Sequence, residues 1–467
     1  MVRPAFLSRF LAHAPSRLAL RWEGVDHTYG DLRALGEATA GWLAEVGVRP
    51  GDRVAIQLEN GLDLVAAHLG CMALGAVRVP MNAHYRAAEV APIVEDAAPV
   101  LVLTGTPELY PHTRTAPAPG RAAPLGHWAG PDDITALLFT SGTTGRPKGV
   151  PQTWAMWTHN LDALHARWHL APDDVLWLTL PCFHTHGLVL GLHGALLRGA
   201  RVLLSERFDP IPPPPEATHF YGVPTYYRRW LPLMQESPAA FRGFRLMVSG
   251  SDGLSAEVND AVLAATGKRV LERYGMTETV MITSNPYEGE RKAGTVGTPL
   301  EGNEVRVVEG EVQVRGPSVF GGYWPRPDPS AFTADGFFRT GDAGEWDEDG
   351  YLRIVGRKKD LVIVGGVNVS PAEVEHVLAQ AAGVREVGVC GLPDADLNEV
   401  VAAAVVLDGS CSVEQTLAAL REAARGLSGL KRPRRYAVVE ALPRNALGKL
   451  QRARIAVEVV FPPPSPS

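Results

Sequence analysis

The segment Thr140-Ser-Gly-Thr-Thr-Gly-Arg-Pro-Lys-Gly149 packs hydroxyls, glycines and cations into one short loop. The apolar run Ile134-Thr-Ala-Leu-Leu-Phe139 before it reads as a buried strand, so the loop leaves a strand end. Glycines such as Gly142 let backbone N–H groups approach phosphate oxygens closely, Thr140, Ser141, Thr143 and Thr144 add hydroxyl donors, and Lys148 adds charge. The loop is not of the Walker type, because Lys148 is followed by Gly149 and no Ser or Thr stands there to hold magnesium. On residue types alone a phosphate grip and a plain turn are equally good readings.

Other stretches carry chemistry of a similar ambiguity. Tyr274-Gly-Met-Thr-Glu-Thr279 sets an acid, Glu278, among hydroxyls and an aromatic ring. Taken alone, it is also readable as a loop with an incidental acid. Phe338-Arg-Thr-Gly-Asp342 in isolation is a turn, Arg357 in Gly356-Arg-Lys-Lys-Asp360 a surface cation, and Lys449 in Leu442-Pro-Arg-Asn-Ala-Leu-Gly-Lys449 one of 45 basic residues. In Pro181-Cys-Phe-His-Thr-His-Gly-Leu188, an extended strand would put Cys182, His184 and His186 on one face, a grouping that can bind zinc, although no fourth ligand is evident. In Phe220-Tyr-Gly-Val-Pro-Thr-Tyr-Tyr-Arg-Arg-Trp230, Arg228 and Arg229 belong either to a solvated helix face or to the wall of a pocket.

In their order along the chain these segments resemble the adenylate-forming superfamily of acyl-CoA synthetases, luciferases and peptide-synthetase adenylation domains. Such enzymes join a carboxylic acid to ATP as acyl-AMP with release of pyrophosphate, then let coenzyme A displace AMP. The phosphoryl oxygens need cationic and N–H stabilisation, magnesium needs a carboxylate, and the ribose needs acceptors for its hydroxyls. The resemblance implies that Thr140, Ser141, Gly142, Thr143, Thr144 and Lys148 grip ATP phosphates. It implies further that Tyr274 stacks by adenine, with Gly250, Ser251, Gly275 and Met276 around the nucleotide. Thr277 would touch the α-phosphate, Glu278 would hold Mg2+, Asp342 would accept both ribose hydroxyls, and Arg357 would reach ribose or phosphate.

Lys449 would bridge the substrate carboxylate and the α-phosphate. Lys359, two positions after Arg357, would be the hinge about which a small C-terminal domain swings between two half-reactions. Gly365-Gly-Val-Asn-Val369 would replace Lys449 at the site for thioester formation, with Gly366 lining the pantetheine tunnel and His184 acting as the aromatic gate between acyl pocket and tunnel.

A narrower resemblance, carried by Phe183-His-Thr-His-Gly-Leu, Phe220-Tyr-Gly-Val-Pro-Thr, Val248-Ser-Gly-Ser and Glu272-Arg-Tyr-Gly-Met-Thr-Glu-Thr-Val-Met-Ile-Thr-Ser-Asn-Pro-Tyr-Glu-Gly-Glu-Arg291, is to malonyl-CoA synthetases. It implies that Arg229 binds the distal carboxylate of malonate or methylmalonate, with Arg228 as a neighbour. His186 would shape substrate choice, Arg291 would assist, and Ser249 and Ser251 would hydrogen-bond the acid. A monocarboxylate substrate of short or medium chain, or transfer to a carrier-protein thiol, stays open as an alternative on the same fold.

The elements that must position these residues alternate between strand and helix. Arg53-Val-Ala-Ile-Gln reads as a strand, Leu62 to Leu74 as a helix and Val100-Leu-Val-Leu as a strand, which indicates α/β layers with parallel pairing. Pro107 to Pro131 reads as a loop. A second α/β series runs from Val175 to about Thr283, and Pro212-Pro-Pro-Pro215 rules out a helix interior there, so a trimmed loop is expected. Short β segments up to Ile354 suggest a small barrel-like region, and Pro371 to Leu378 a helix with a Ser370 cap and an N1 proline. The expected architecture is a large α/β N-terminal domain, residues 1–358, and a smaller mobile α+β C-terminal domain, 359–467, with a disordered Pro-rich tail from about residue 461.

At 467 residues the chain exceeds one ordinary core. A net charge of −6 gives no basic footprint for nucleic acid, and no apolar run is long enough to span a bilayer. Cys71, Cys182, Cys390 and Cys411 lack paired spacing, which suits a reducing, cytoplasmic setting. The amphipathic, Arg-containing start could be a transit peptide, but it runs directly into Ala19-Leu-Arg-Trp and His27-Thr-Tyr-Gly-Asp-Leu, which resemble the first elements of the superfamily. It is therefore read as part of the fold. The expected partners are ATP, malonate and coenzyme A, without nucleic acid or membrane, in a monomer or homodimer.

Overall fold

The computed structural model describes residues 5–125, 133–140, 146–357, 360–364, 367–394, 396–444 and 450–462. Packing divides the chain into one unit of residues 1–306, 314–339 and 347–352 and another of residues 307–313, 340–346 and 353–467.

Two sheets carry the first unit. One has the strand order Thr115–Ala116, Leu101–Thr104, Arg53–Gln57, Val77–Pro80, Ile134–Thr140, Lys148–Thr153. All its neighbours are parallel except the last pair, which forms an antiparallel hairpin. The other runs Thr298–Pro299, Val280–Ser284, Leu271–Met276, Leu246–Ser249, His219–Gly222, Val175–Leu178, Arg201–Leu204, Leu18–Trp22, Val25–Thr28. Its middle, from Leu271–Met276 to Leu18–Trp22, is parallel throughout. Parallel strands need both faces covered, and Leu246–Ser249 and His219–Gly222 are accordingly buried at every position.

This topology puts the chemistry-bearing segments at one end. The adjacent parallel strands Val175–Leu178, His219–Gly222, Leu246–Ser249 and Leu271–Met276 end next to Pro181–Leu188, Val223-Pro-Thr225, Gly250-Ser251 and the Tyr274–Thr279 turn. Ligands of open α/β sheets bind at such carboxyl ends.

Leu204 and His219 are joined without a helix, as the proline run demands. The extended strand expected for Cys182 to His186 does not form. The chain turns there and enters a π-helix, His186–His193. Cys182, His184 and His186 therefore share no strand face, and the Cys182 sulfur rests against the carbonyls of Leu180 and Gly187 at 3.8 and 3.7 Å.

In the second unit the shorter segments build most of a four-stranded sheet, ordered Glu304–Val308, Glu311–Arg315, Phe338–Trp346, Leu352–Arg357. Beyond it Val367–Val369, Val362–Val364, Asn398–Leu407 and Val384–Asp394 pair in that order, and Arg435–Val438 joins Asn398–Leu407 in parallel. Helices Pro371–Leu378 and Val413–Ala424 pack on one face of this sheet, and Arg452–Glu458 packs against a separate apolar cluster around Cys390 and Val406. Ser370 does precede Pro371 in extended conformation, but its hydroxyl does not cap the helix. It donates instead to the Val355 carbonyl at 2.7 Å.

Helices Tyr29–Glu45 and Leu62–Leu74 of the first unit are held close by small residues. A Cβ on Gly70 would strike the Thr39 side chain, and one on Gly36 would press on Leu69. Gly70→Val should therefore overpack this contact and cost about 1–3 kcal/mol, read as a lower thermal midpoint. An unchanged midpoint would mean that the helices separate freely.

Candidate functional site

The phosphate-like loop closes the hairpin of Ile134–Thr140 and Lys148–Thr153, in which Thr140 lies opposite Lys148. Ser141, Gly142, Thr143 and Thr144 fall outside the described residues. The Lys148 ammonium stands 3.0 Å from the Asp328 carboxylate and 4.6 Å over the Tyr323 ring. The Tyr323 hydroxyl donates to Glu278 Oε1 at 3.0 Å. From the same strand as Lys148, four residues on, Gln152 donates to the Thr277 carbonyl at 2.6 Å and accepts from Trp157 Nε1 at 2.7 Å. Lys148, Thr277 and Glu278 are thus joined by Tyr323 and Gln152, which sequence reasoning missed.

The Tyr274–Thr279 turn is tightly constrained. Thr279 N donates to the Met276 carbonyl at 3.1 Å, and Met276 N to Thr279 Oγ1 at 3.3 Å. A Cβ on Gly275 would strike the Val280 carbonyl and the Met281 backbone. Val280 itself takes φ +57°, an unusual value for a β-branched residue, held by complete burial of its side chain. The turn keeps Glu278 buried, while Tyr274, Met276 and Thr277 stay half-buried. Among the described residues no group of His, Cys, Asp and Glu side chains could hold a metal unaided. A lone Glu278 carboxylate suits magnesium, which commonly takes one or two carboxylates and fills its shell from phosphate oxygens and water.

At the other side of the strand ends lies a buried polar group. Arg273 is 3% exposed, and its Nε and Nη2 have no hydrogen-bond partner among the described residues. Gly250 makes room for it, since a Cβ there would run into the guanidinium. His186 stacks beside Tyr221 with centroids 6.3 Å apart, and its Nδ1 is 3.5 Å from Ser251 Oγ. Ser251 sits at φ +68°, another strained backbone position. Ser249 Oγ, His184 Nε2 and His186 Nε2 are also buried without partners among the described residues.

Burial pushes the Arg273 pKa down to about 9, and pushes His184 down to about 4. Burial first, then the charge of Arg273, holds His186 far below the usual histidine range. Both imidazoles are therefore neutral near pH 7. In the stretch around Arg273, the roles read from the sequence fell to Tyr274, Gly275, Met276, Thr277 and Glu278, and Arg273 was given none. A second charged residue directly after Glu272, in a strand whose first three residues are buried, was the overlooked sign.

The other arginines are placed differently. Arg228 and Arg229 are exposed on the helix Pro224–Glu236, with the Arg229 guanidinium 5.6 Å over the Phe208 ring. Arg291 is not brought to this group. Its guanidinium donates to the carbonyls of Pro286, Arg269 and Tyr287 at 3.1, 2.9 and 2.7 Å, which staples the loop after Val280–Ser284.

In the second unit Asp342 and Arg357 meet, Arg357 Nε lying 2.9 Å from Asp342 Oδ1. Thr340 braces both: its carbonyl accepts from Arg357 Nη1 at 3.1 Å and its hydroxyl oxygen from Asp342 N at 3.1 Å. Lys359, Gly366 and Lys449 lie outside the described residues.

Residues 7–324 match the model of the AMP-binding enzyme family, and residues 373–449 that of the AMP-binding enzyme C-terminal domain. A malonate–CoA ligase of Arabidopsis thaliana is 33% identical over 94% of this chain and 86% of its own length. A feruloyl-CoA synthase of a Streptomyces species is also 33% identical, over 95% of this chain and 96% of its own. The ATP-bound crystal structure of MatB from Rhodopseudomonas palustris superposes with a TM-score of 0.89 at 35% identity, covering 97% of this chain and 99% of that one.

Beside Arg273, Glu272 accepts hydrogen bonds from Asn259 Nδ2 at 3.1 Å and Gly294 N at 3.0 Å. Burial nevertheless pushes its carboxyl up to about 7, from 4.5. The folded protein thus keeps a proton there that the unfolded chain releases. The stability this contributes is full below about pH 4.5 and is lost as pH rises through about 7, on the order of 3 kcal/mol in all. Glu272→Gln, which cannot ionise, should flatten the fall in urea midpoint between pH 5 and pH 8. Parallel profiles for parent and variant would remove Glu272 as its source.

Proposed function

Since the chain belongs to the AMP-binding enzyme family, as an acyl-CoA ligase of the adenylate-forming type, we propose that its acid substrate is a short dicarboxylate, malonate first. The observation that carries this reading is Arg273. A buried guanidinium with two unpartnered nitrogens lacks the compensation that a buried charge requires, and a second carboxylate on the substrate supplies it. Ser249, Ser251 and neutral His186 offer further polar contacts, and Arg229, whose guanidinium makes no hydrogen bond among the described residues, is the second cation available to the acid. The malonate–CoA ligase among the relatives supports the same choice.

In this reading the reacting carboxylate attacks the α-phosphorus of ATP, the bond to the β-phosphate oxygen breaks, and pyrophosphate leaves. Lys148 and Thr277 serve the phosphates together with Thr140 and its loop. Glu278 would hold magnesium, whose charge offsets that of the phosphates when it is bound. Lys449 neutralises the approach of carboxylate to phosphate. Tyr274 lies by adenine, and Asp342 with Arg357 takes the ribose. The coenzyme A thiol then loses its proton and attacks the acyl carbon, and the acyl–phosphate oxygen bond breaks to release AMP. Lys359 is the hinge between residues 1–358 and the mobile residues 359–467, and Gly366 leaves the pantetheine path clear. His184, neutral, gates it.

Arg273→Met tests the substrate assignment. Stranding the distal carboxylate should cost about 3–5 kcal/mol, or roughly a hundredfold to several-thousandfold in kcat/KM for malonate. Butyrate should lose little. Arg229→Leu, at an exposed position, should shift the malonate-to-butyrate ratio less. An unchanged ratio in Arg273→Met would remove Arg273 from the acyl site.

The catalytic lysine has its own test. Lys449→Ala should abolish adenylate formation and leave thioester formation from supplied acyl-adenylate largely intact. Equal losses in both half-reactions would contradict its assignment to the first.

A further inference from the structure

We propose that Asp96 is a positioning residue for ATP, fixing the outgoing limb of the phosphate hairpin and tying it to the segment that carries Tyr323 and Asp328. The inference rests on the reading of this hairpin as a phosphate grip. Asp96 stands at the end of the helix Ala87–Ala97, with a side chain only 2% exposed. Helix C-termini disfavour carboxylates, so its charge needs cations. Two arginines supply them. Arg146, in the loop itself, donates from Nη2 at 2.6 Å and from Nε at 3.3 Å, and it also reaches Glu95 at 2.9 Å. Arg326 donates to Oδ2, the carboxylate oxygen that also accepts from Arg146 Nε, while Arg146 Nη2 holds Oδ1.

The same point is braced through the backbone. Trp324 Nε1 donates to the Asp96 carbonyl at 2.9 Å, while Trp324 and Gly149 exchange N–H···O bonds of 2.8 and 3.2 Å. On either side of Trp324 stand Tyr323, which meets Glu278, and Asp328, which meets Lys148. Asp96 thereby connects the helix end, the hairpin and the residues beside Lys148 and Glu278. Arg146 is held by this clamp, and Lys148, which meets Asp328, is the hairpin cation assigned to phosphate. Small displacements of a positioning group cost up to about a hundredfold in rate, so loss of one clamp arm should be measurable.

Asp96→Asn should raise KM for ATP in pyrophosphate release about tenfold. Thioester formation from supplied acyl-adenylate, which uses no triphosphate, should stay within about twofold of the parent. Arg146→Gln should raise KM for ATP similarly, and the double variant should be no worse than either single one. This pattern separates positioning from general loosening of the fold, which would slow both half-reactions and multiply in the double variant. Should Asp96→Asn fail to fold, Arg146→Gln carries the same comparison. An unchanged KM for ATP, equal losses in both half-reactions, or multiplicative effects would each overturn the proposal. Lys148→Ala is the check on its premise: if it leaves KM for ATP unchanged, the phosphate-grip reading falls, whereas a rise there with no effect of Asp96→Asn sinks the clamp alone.

Discussion

A guanidinium withdrawn from water, with no carboxylate partner among the described residues, is the constraint on which the proposed acyl site rests. Among the described residues of the first unit two arginines are this deeply buried, and they differ in what surrounds them. Arg78 donates to the Thr135 carbonyl at 3.0 Å and meets His193 Nε2 at 2.8 Å, with its guanidinium carbon within 5.2 Å of the Trp154 ring and 4.8 Å of the Trp157 ring. It is a structural cation whose contacts are made. Arg273 keeps two nitrogens unpartnered among the described residues, beside a glycine that clears its space and a histidine kept neutral by burial and by that same charge. Folding energy has been spent to keep a cation available.

The sheet makes this possible. Parallel pairing brings four consecutive strand ends side by side, so segments far apart in sequence supply His186, Ser249 and Arg273 without any long loop. Thr277 and Glu278 follow on the same strand and turn as Arg273, and Gln152 and Tyr323 connect them to Lys148. In the proposed reading, recognition of an acid and handling of phosphate are built from one strand, Leu271–Met276, and the turn that ends it. The strained φ values of Ser251 and Val280 mark the two positions where the backbone is bent to serve this arrangement.

Much of this was legible in the sequence because short motifs encode local geometry. The apolar run before Thr140 gave the buried strand, the proline run gave a loop, and the glycines marked turns. What escaped depends on tertiary context. A Cys-x-His-x-His spacing fits an extended strand as well as a turn entering a π-helix, and only packing decides between them. Ser370 looked like a helix cap because its position is right, yet a carbonyl fifteen residues earlier takes its hydroxyl. Arg273 was hidden inside a motif read for its neighbours, and Asp96 had no local signal, because its partners lie 50 and 230 residues away. Arg291 shows the converse: a charged residue in a suggestive stretch that spends its donors on backbone carbonyls.

The central claim is that an uncompensated buried arginine selects an acid with two carboxylates. Its most direct measurement is pyrophosphate release by the unaltered enzyme across a matched series of short mono- and dicarboxylates, at fixed ATP and coenzyme A. The account predicts that kcat/KM for malonate exceeds that for acetate and butyrate by roughly a hundredfold or more, the scale of an unpaired buried charge. Equal or better turnover of the monocarboxylates would contradict it.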